Sequence, residues 1–284
     1  MELKNGIKLI FHNKTNQNKF YVNDGVEICK AENKSSSIKF DKNSYKPKKN
    51  WRLLNEDEKN ILFSTTAVLN YSSSILINKL PSHIVALLRK INLNNCTNYI
   101  DVLNSFNENS EIVKSFQLQI KKILFSYAQQ NTEVEFHRIV FNPPQIETLT
   151  YYMEKNKLIF VGLHIDRSTE FDFSNVDYSK NRLCINIGTE DRFLYIVNLT
   201  LNQILKMLGE KRTIDLSKVT INNIGQIFFH EFPDYPIIKV VQSPFEYYIA
   251  PTDNILHDGS TLGKKKHDIC LVYIGYFNTH PASN

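Results

Sequence analysis

The first 131 residues contain polar stretches separated by segments with the apolar spacing of amphipathic helices. Helical spacing appears in three segments, namely 55–71, 80–91 and 110–130. Asn55 and Ser110 stand at the starts of the first and third segments, where a polar side chain can cap a helix. We therefore predict that residues 1–131 form a mainly helical support region.

Two shorter features precede these helices. IKLIFH (7–12) and KFYV (19–22) are β-prone pieces, and the turn residues Asn23-Asp24-Gly25 follow them. This order predicts a hairpin or a small sheet. The polar stretch 31–49, rich in lysine and serine, is predicted to be a loop.

Beyond residue 132 the pattern changes to short β-branched and aromatic runs separated by polar turns. Eight runs are predicted strands: 135–142, 157–165, 182–188, 192–199, 224–232, 237–242, 247–251 and 268–277. LTLNQILKMLGE has helical spacing and is predicted to end as a helix near Gly209. Strands that follow a helical block predict an α+β fold. We expect a sandwich or barrel at 132–284, integrated with the helical region into one domain.

A candidate metal centre lies at the end of the second predicted strand. His164 and Asp166 are two residues apart, so in an extended strand their side chains point to the same face. His257 follows another strand-like segment and can supply a third ligand; His230 is the alternative. Two histidines and one carboxylate form a facial set that leaves open positions on iron(II), which suits oxygen activation.

This arrangement resembles the iron(II)/2-oxoglutarate-dependent oxygenases. The resemblance covers residues 135–278, about half the chain, and depends on LHID (163–166), LHDGS (256–260) and the order of the strands. It implies a double-stranded β-helix of jelly-roll, cupin-like type, with the HxD pair after the second core strand and the distal histidine on the seventh. It also implies an iron dioxygenase that uses Fe(II), the cosubstrate 2-oxoglutarate and O2, typically as a hydroxylase. Desaturation and cyclisation are variants of that chemistry.

The same family holds 2-oxoglutarate through a basic residue about ten positions after the distal histidine. The chain has no arginine there, so the candidates are Lys264, Lys265, Lys266 and His267. Lys266 is nearest in spacing. Family members that use the fourth strand instead make Arg192 the second choice. Arg182, Asn186 and Tyr195 are further candidates for contact with cosubstrate or substrate, and a packing or surface role is the alternative for each.

Composition narrows the partners. The net charge of +5 comes from scattered lysines without a nucleic-acid-binding motif, so we expect no nucleic acid. We find no signal peptide or membrane-span pattern and no CxxC pair, so we expect a protein of the reducing cytoplasm. The predicted substrate is an amino acid, a peptide or another small molecule in a biosynthetic setting; the oligomeric state stays open.

Three further expectations concern the site and its chemistry. The polar loop 167–181 can cover the metal, or it can be a plain connection. A cupin-type metal enzyme with non-oxidative chemistry is the first alternative function. A catalytically silent barrel that serves as an interaction module is the second.

Overall fold

The computed structural model describes residues 1–11, 17–30, 39–64 and 71–281. Its helices are α1 Glu56–Leu62, α2 Ser82–Ile91, α3 Tyr99–Glu108, α4 Ser110–Tyr127, α5 Leu201–Gly209 and α6 Ile224–Glu231. Its strands are β1 Lys8–Phe11, β2 Phe20–Val22, β3 Val26–Ile28, β4 Lys39–Pro47, β5 Arg52–Leu53, β6 Ser74–Lys79, β7 Glu135–Asn142, β8 Tyr151–Glu154, β9 Lys157–Gly162, β10 Asn181–Asn186, β11 Arg192–Thr200, β12 Ile238–Gln242, β13 Glu246–Ala250, β14 Ile255–Ser260 and β15 Asp268–Gly275.

Within these residues the strands form three sheets. The six-stranded sheet has the order β1-β6-β13-β10-β15-β7, and the five-stranded sheet has the order β14-β11-β12-β2-β5. A four-stranded sheet, β3-β4-β9-β8, completes the set. β1 pairs with β6 in parallel, as β4 does with β9, and the other strand pairings of the described chain are antiparallel.

The two larger sheets share one apolar core. Cys184 and Val272 of the six-stranded sheet pack there in a cluster with Leu194 and Val240 of the five-stranded sheet. Because side chains alternate along a strand, each sheet also presents an outer apolar face. α2 and α4 pack on the outer face of the six-stranded sheet, and α5 and α6 on that of the five-stranded sheet. The result is a mixed α and β protein with a sheet-rich core between helices.

Most of the predicted strands after residue 132 are confirmed, but IGQIFFHEF is a helix. In α6 the buried residues Ile224 and Phe228 are four positions apart, and they pack with α5. A continuous apolar run fits a buried strand or a buried helix equally well, so its periodicity does not separate the two. The helix predicted in LTLNQILKMLGE is confirmed as α5, which ends at Gly209.

The amino-terminal region differs more from its prediction. β1 and β2 do not form a hairpin, because β1 pairs with β6 and β2 pairs with β12 in a different sheet. The predicted loop 31–49 contains the strand β4, Lys39–Pro47. Residues 31–38 of the predicted loop lie outside the described chain. β6 was missed within the region predicted as helical, although it lies inside the six-stranded sheet.

The predicted helices of this region are confirmed with shorter bounds. Asn55 caps α1 through a reciprocal capping box with Glu58, while α1 ends at Leu62 and residues 65–70 lie outside the described chain. Ser110 opens α4 as its first residue, but Asn109 holds the cap position and makes no side-chain capping bond. No helix in the described ranges combines the length and the apolar character needed to cross a membrane.

Gly162 is required where β9 ends. Its φ of +66° is unfavourable for other residues, and an added Cβ would lie 2.3 Å from the carbonyl oxygen of Tyr45. We expect Gly162→Ala to lower the free energy of unfolding by about 1–3 kcal/mol or more, through strain and this clash. Urea denaturation measures the change.

Gly263→Ala is the matched control. Gly263 has a φ of +80°, but an added Cβ there would meet no atom within 4 Å. Gly263→Ala should therefore lower the free energy of unfolding by only about 1–2 kcal/mol, the cost of the left-handed backbone itself. Equal losses in the two variants would contradict a role for the contact with Tyr45.

Candidate metal centre

A backbone exchange of hydrogen bonds places His164 beside His257. The His164 N–H donates to the His257 carbonyl at 3.0 Å, and the His257 N–H donates to the His164 carbonyl at 2.8 Å. The predicted strand was expected to continue through His164, but β9 ends at Gly162. The chain turns there, leaves β4 and joins β14. His257 itself lies inside β14, so the two imidazoles project side by side, with ring centroids 4.7 Å apart.

The three predicted ligands converge on one point. Nε2 of His164 lies 3.5 Å from Oδ1 of Asp166, and Nε2 of His257 lies 3.2 Å from Oδ2. One ligand atom from each residue lies within 4.8 Å of the other two. The i and i+2 spacing of His164 and Asp166 therefore brings both to the same face, as the alternation of an extended chain requires.

The donor set fits a divalent metal ion such as iron(II). Nδ1 of His164 lies 2.9 Å from the Gly162 carbonyl oxygen, and Nδ1 of His257 lies 3.2 Å from that of Ile255. When each Nδ1–H donates to its carbonyl, Nε2 keeps a lone pair for the metal. Burial lowers the pKa of His164, and it lowers that of His257 well below its usual range. Both rings are therefore neutral at pH 7, as ligation requires.

Asp166 is held from two sides. Its N–H donates to the Thr252 carbonyl at 3.0 Å, and its carboxylate contacts the Arg182 guanidinium. Arg182 also reaches Ser168 Oγ at 3.3 Å, and the N–H and Oγ of Ser168 bond to the Asp253 carboxylate at 3.1 and 3.0 Å. This chain of polar contacts orients the carboxylate and keeps a positive charge beside it. Ser168 and Asp253 were not predicted, since no spacing pattern distinguishes them.

A cavity of about 460 Å³ opens from Asp166 and His257. Its polar and charged lining includes Arg138, Asn142, Thr150, Tyr151, Asp166, Arg182, Arg192, Tyr248, Thr252 and His257. This volume is typical of a site for a small molecule. His164 borders a second cavity of about 190 Å³, so the three candidate ligands stand between the two cavities.

The candidate residues for binding the cosubstrate lie in different parts of the structure, and only some of them line the large cavity. Arg192, at the start of β11, lines the large cavity and is 9% exposed. Lys266 is exposed on the turn before β15, where the backbone N–H groups of Lys265 and Lys266 donate to the Glu190 carboxylate. Lys264 lies over the ring of Phe193.

His267 and the remaining candidates also differ in position. His267 stacks on Phe141, with centroids 4.6 Å apart. Arg182 lines the cavity, while the Asn186 amide donates to the carbonyls of Glu190 and Gln242. Tyr195 packs on the outer face of the five-stranded sheet and stacks on Trp51. Asn186 and Tyr195 thus have structural contacts outside the cavity lining.

The structure bears on two alternatives that the sequence left open, the role of the loop 167–181 and the choice between His257 and His230. The loop 167–181, described throughout, contributes no residue to the lining of the large cavity. Its Phe171 and Val176 instead pack into the cluster under α5 and α6. His230 is exposed on α6 and is not in the group of potential ligands, in which His257 is the third residue.

Arg138 is a lining residue that the sequence analysis missed. It lies on β7, where Val140 packs between the sheets and Ile139 packs on the opposite, helix-covered face. Arg138, Val140 and Asn142 therefore share the inner face. The sequence contained an indication of this role. In the predicted strand EFHRIVFN, the polar residues Arg138 and Asn142 share a face with the apolar Val140.

Comparisons with known proteins add two distant structural neighbours. No family model matches the chain, and no curated protein matches it. The neighbours are the Kdo hydroxylase KdoO, described as a non-heme Fe(II) alphaketoglutarate dependent dioxygenase, in its apo form and in complex with succinate and Fe(III). Each has 13% identity and a TM-score of 0.39 and covers 74% of this chain, with 81% and 80% of the neighbour covered.

We predict that removing any one of the three ligands abolishes tight binding of a divalent metal. His164→Ala, Asp166→Ala and His257→Ala should each weaken Mn²⁺ binding more than about 100-fold, since losing even an outer partner of a ligand costs about 10–100-fold. Isothermal titration calorimetry with Mn²⁺ measures the dissociation constant. His230→Ala is the control and should bind like the wild type; a loss there, with binding retained in His257→Ala, would contradict this ligand set.

Proposed function

We propose that this protein is a non-haem iron(II), 2-oxoglutarate-dependent oxygenase that hydroxylates, or otherwise oxidises, an unactivated C–H bond of a small substrate. The single observation that carries the proposal is the convergence of His164, Asp166 and His257 beside a cavity of about 460 Å³. Two imidazoles and one carboxylate occupy one face of a metal ion and leave the opposite positions open.

The pairing of strands supports a double-stranded β-helix for this core. Let β7, β9, β10, β11, β12, β13, β14 and β15 be numbered one to eight. Strand one then pairs with eight, eight with three, and three with six. Opposite them, the segment after strand two pairs with seven, seven with four, and four with five. This is the order of a jelly roll, in which the second and seventh strands are neighbours and can share a metal.

Arg192 is our choice for the residue that holds the 2-oxoglutarate carboxylate distal to the metal. It shares the cavity with Asp166 and His257, whereas Lys266 is exposed on a turn outside its lining. Arg192 Nη1 donates to the Cys270 thiol at 2.9 Å, a weak acceptor, and its buried Nε lies 3.2 Å from Asp268 without a hydrogen bond. A guanidinium with this donor capacity is suited to a carboxylate.

The chain's own groups then perform positioning and exclusion of water. The His164 and His257 rings are fixed by their Nδ1 contacts, and Arg182 orients the Asp166 carboxylate. Leu194 and Val272 form apolar wall beside the polar lining, which limits water near the reacting atoms. Iron(II) bound there, together with 2-oxoglutarate, supplies the oxygen activation that these side chains cannot.

The first test is 2-oxoglutarate turnover. We expect the wild type, supplied with Fe(II), 2-oxoglutarate and air, to form succinate above a control without iron. His164→Ala should form it at least about 100-fold more slowly, because a ligand is lost, whereas His230→Ala should match the wild type. Succinate is quantified by mass spectrometry.

An oxygenase that turns over too slowly for succinate to be detected should still bind 2-oxoglutarate. Calorimetry of 2-oxoglutarate binding to the Mn²⁺-loaded protein therefore distinguishes slow turnover from a protein that does not use 2-oxoglutarate. Metal binding without 2-oxoglutarate binding would overturn the proposal in favour of a cupin-type metal enzyme with non-oxidative chemistry. If the protein binds no metal, the result would favour the second alternative, a catalytically silent barrel that serves as an interaction module.

A second test separates the two candidate anchors. Arg192→Lys keeps the charge but loses the fork of parallel donors, so we expect about 10-fold weaker 2-oxoglutarate binding. Lys266→Gln should leave that affinity unchanged. Calorimetry measures both, with Mn²⁺ affinity and thermal melting as controls for metal loading and folding. The opposite ranking of the two variants would assign the role to Lys266.

A further inference from the structure

Three arginines line the cavity, and they differ in how their charge is balanced. Arg182 contacts the Asp166 carboxylate, and Arg192 lies 3.2 Å from Asp268. The Arg138 side chain makes no ion pair or hydrogen bond with any residue that the structure describes, although its backbone pairs with β15. Its positive charge is therefore available to a bound anion.

The position of Arg138 is that of a residue at the opening of the cavity. It lies on β7, the last strand of the six-stranded sheet, opposite Val272 of β15. Its side chain is exposed, in contrast to the buried Arg192. Arg192 is thus suited to the cosubstrate deep in the cavity, while Arg138 can reach a second molecule that enters after it.

The lining offers no matching group for a cation. Asp166 is the one carboxylate among the lining residues that the structure describes, and it is both a candidate ligand and a partner of Arg182. An ammonium group placed in this cavity would meet the guanidinium of Arg138, which has no carboxylate partner, and would find no uncommitted carboxylate in the lining that the structure describes. Like charges at close range are unfavourable, so the lining selects against a free amino group.

Two tyrosines flank the same opening. Tyr99 is 44% exposed and Tyr151 is 48% exposed, and both line the cavity. An aromatic ring gives a flat apolar surface together with a polar hydroxyl. These rings can pack against the body of a small molecule whose charged end lies at Arg138.

We infer that the substrate of this site is a small carboxylic acid without a free amino group, and that Arg138 binds its carboxylate. This inference rests on the proposed function, because it assumes that Arg192 is engaged by 2-oxoglutarate. Within the substrates that the sequence left open, it favours a small organic acid over a free amino acid or a basic peptide.

The test compares three probes with one body and three different ends: 4-phenylbutyrate, 4-phenylbutan-1-ol and 4-phenylbutan-1-amine. Their dissociation constants are measured by calorimetry on the protein loaded with Mn²⁺ and 2-oxoglutarate, so that the deep part of the cavity is filled. The variants are Arg138→Gln, the conservative Arg138→Lys and the control Arg212→Gln. Arg212 is exposed outside the cavity lining, so its loss changes the net charge equally.

We expect the wild type to bind the carboxylate at least about 10-fold more tightly than the alcohol, and the amine most weakly. Arg138→Gln should weaken carboxylate binding at least about 10-fold, Arg138→Lys should restore part of it, and Arg212→Gln should bind like the wild type. Affinity for 2-oxoglutarate should be unchanged in all three variants. Thermal melting confirms that each variant is folded.

Two outcomes would overturn the inference. One is a wild type that shows no preference for the carboxylate over the alcohol, and the other is equal carboxylate binding in Arg138→Gln and the wild type. Failure of the proposed function has a different signature, because 2-oxoglutarate would then not bind, whether or not Mn²⁺ binds. The three probes titrated into the metal-free protein would still show whether the carboxylate preference depends on Arg138.

Discussion

The two backbone hydrogen bonds between His164 and His257 are the constraint on which the candidate site depends. They join residues that are far apart in the chain, and they fix both imidazoles on one face at the distance that a shared metal requires. Gly162 makes this pairing possible, because its left-handed backbone lets the chain leave β4 and join β14. Asp166 then follows at the spacing of an extended chain. Local alternation and one long-range pairing together bring the three candidate ligands to one point.

The surroundings divide the cavity into parts with different electrostatic character. Arg182 lies against the carboxylate of the candidate ligand Asp166, Arg192 lies deeper and is backed by Asp268, and Arg138 stands at the opening. Each comes from a different strand, and strand alternation turns each toward the cavity. Under the proposed function, a metal ion, a dianionic cosubstrate and a substrate carboxylate would each meet a group of opposite charge. The two sheets bring these charges together beside the apolar core that they share.

The fold was partly accessible from the sequence. Short β-branched runs beyond residue 132 identified most core strands, because a strand between two packed layers must be apolar. The prediction of a strand in IGQIFFHEF was wrong, because a continuous apolar run has no period that distinguishes a strand from a helix. This segment forms the helix α6, which packs against α5. The strand β6 was not predicted for another reason, because its position between β1 and β13 depends on partners that are distant in sequence. Neighbouring residues carry no trace of such pairing.

For the site, the sequence by itself determined that His164 and Asp166 share a face, because the period of an extended chain is a local property. It also marked His257 as a possible third ligand, Arg192 as the second choice for the cosubstrate anchor, and Arg182 as a candidate for contact with cosubstrate or substrate. Only the tertiary structure decided that His257, and not His230, stands beside them, that Arg192 lines the cavity while Lys266 lies on an outer turn, and that Arg138 faces the opening. These facts depend on which strands pair and which face is enclosed, and such long-range contacts are set by the packing of the whole chain.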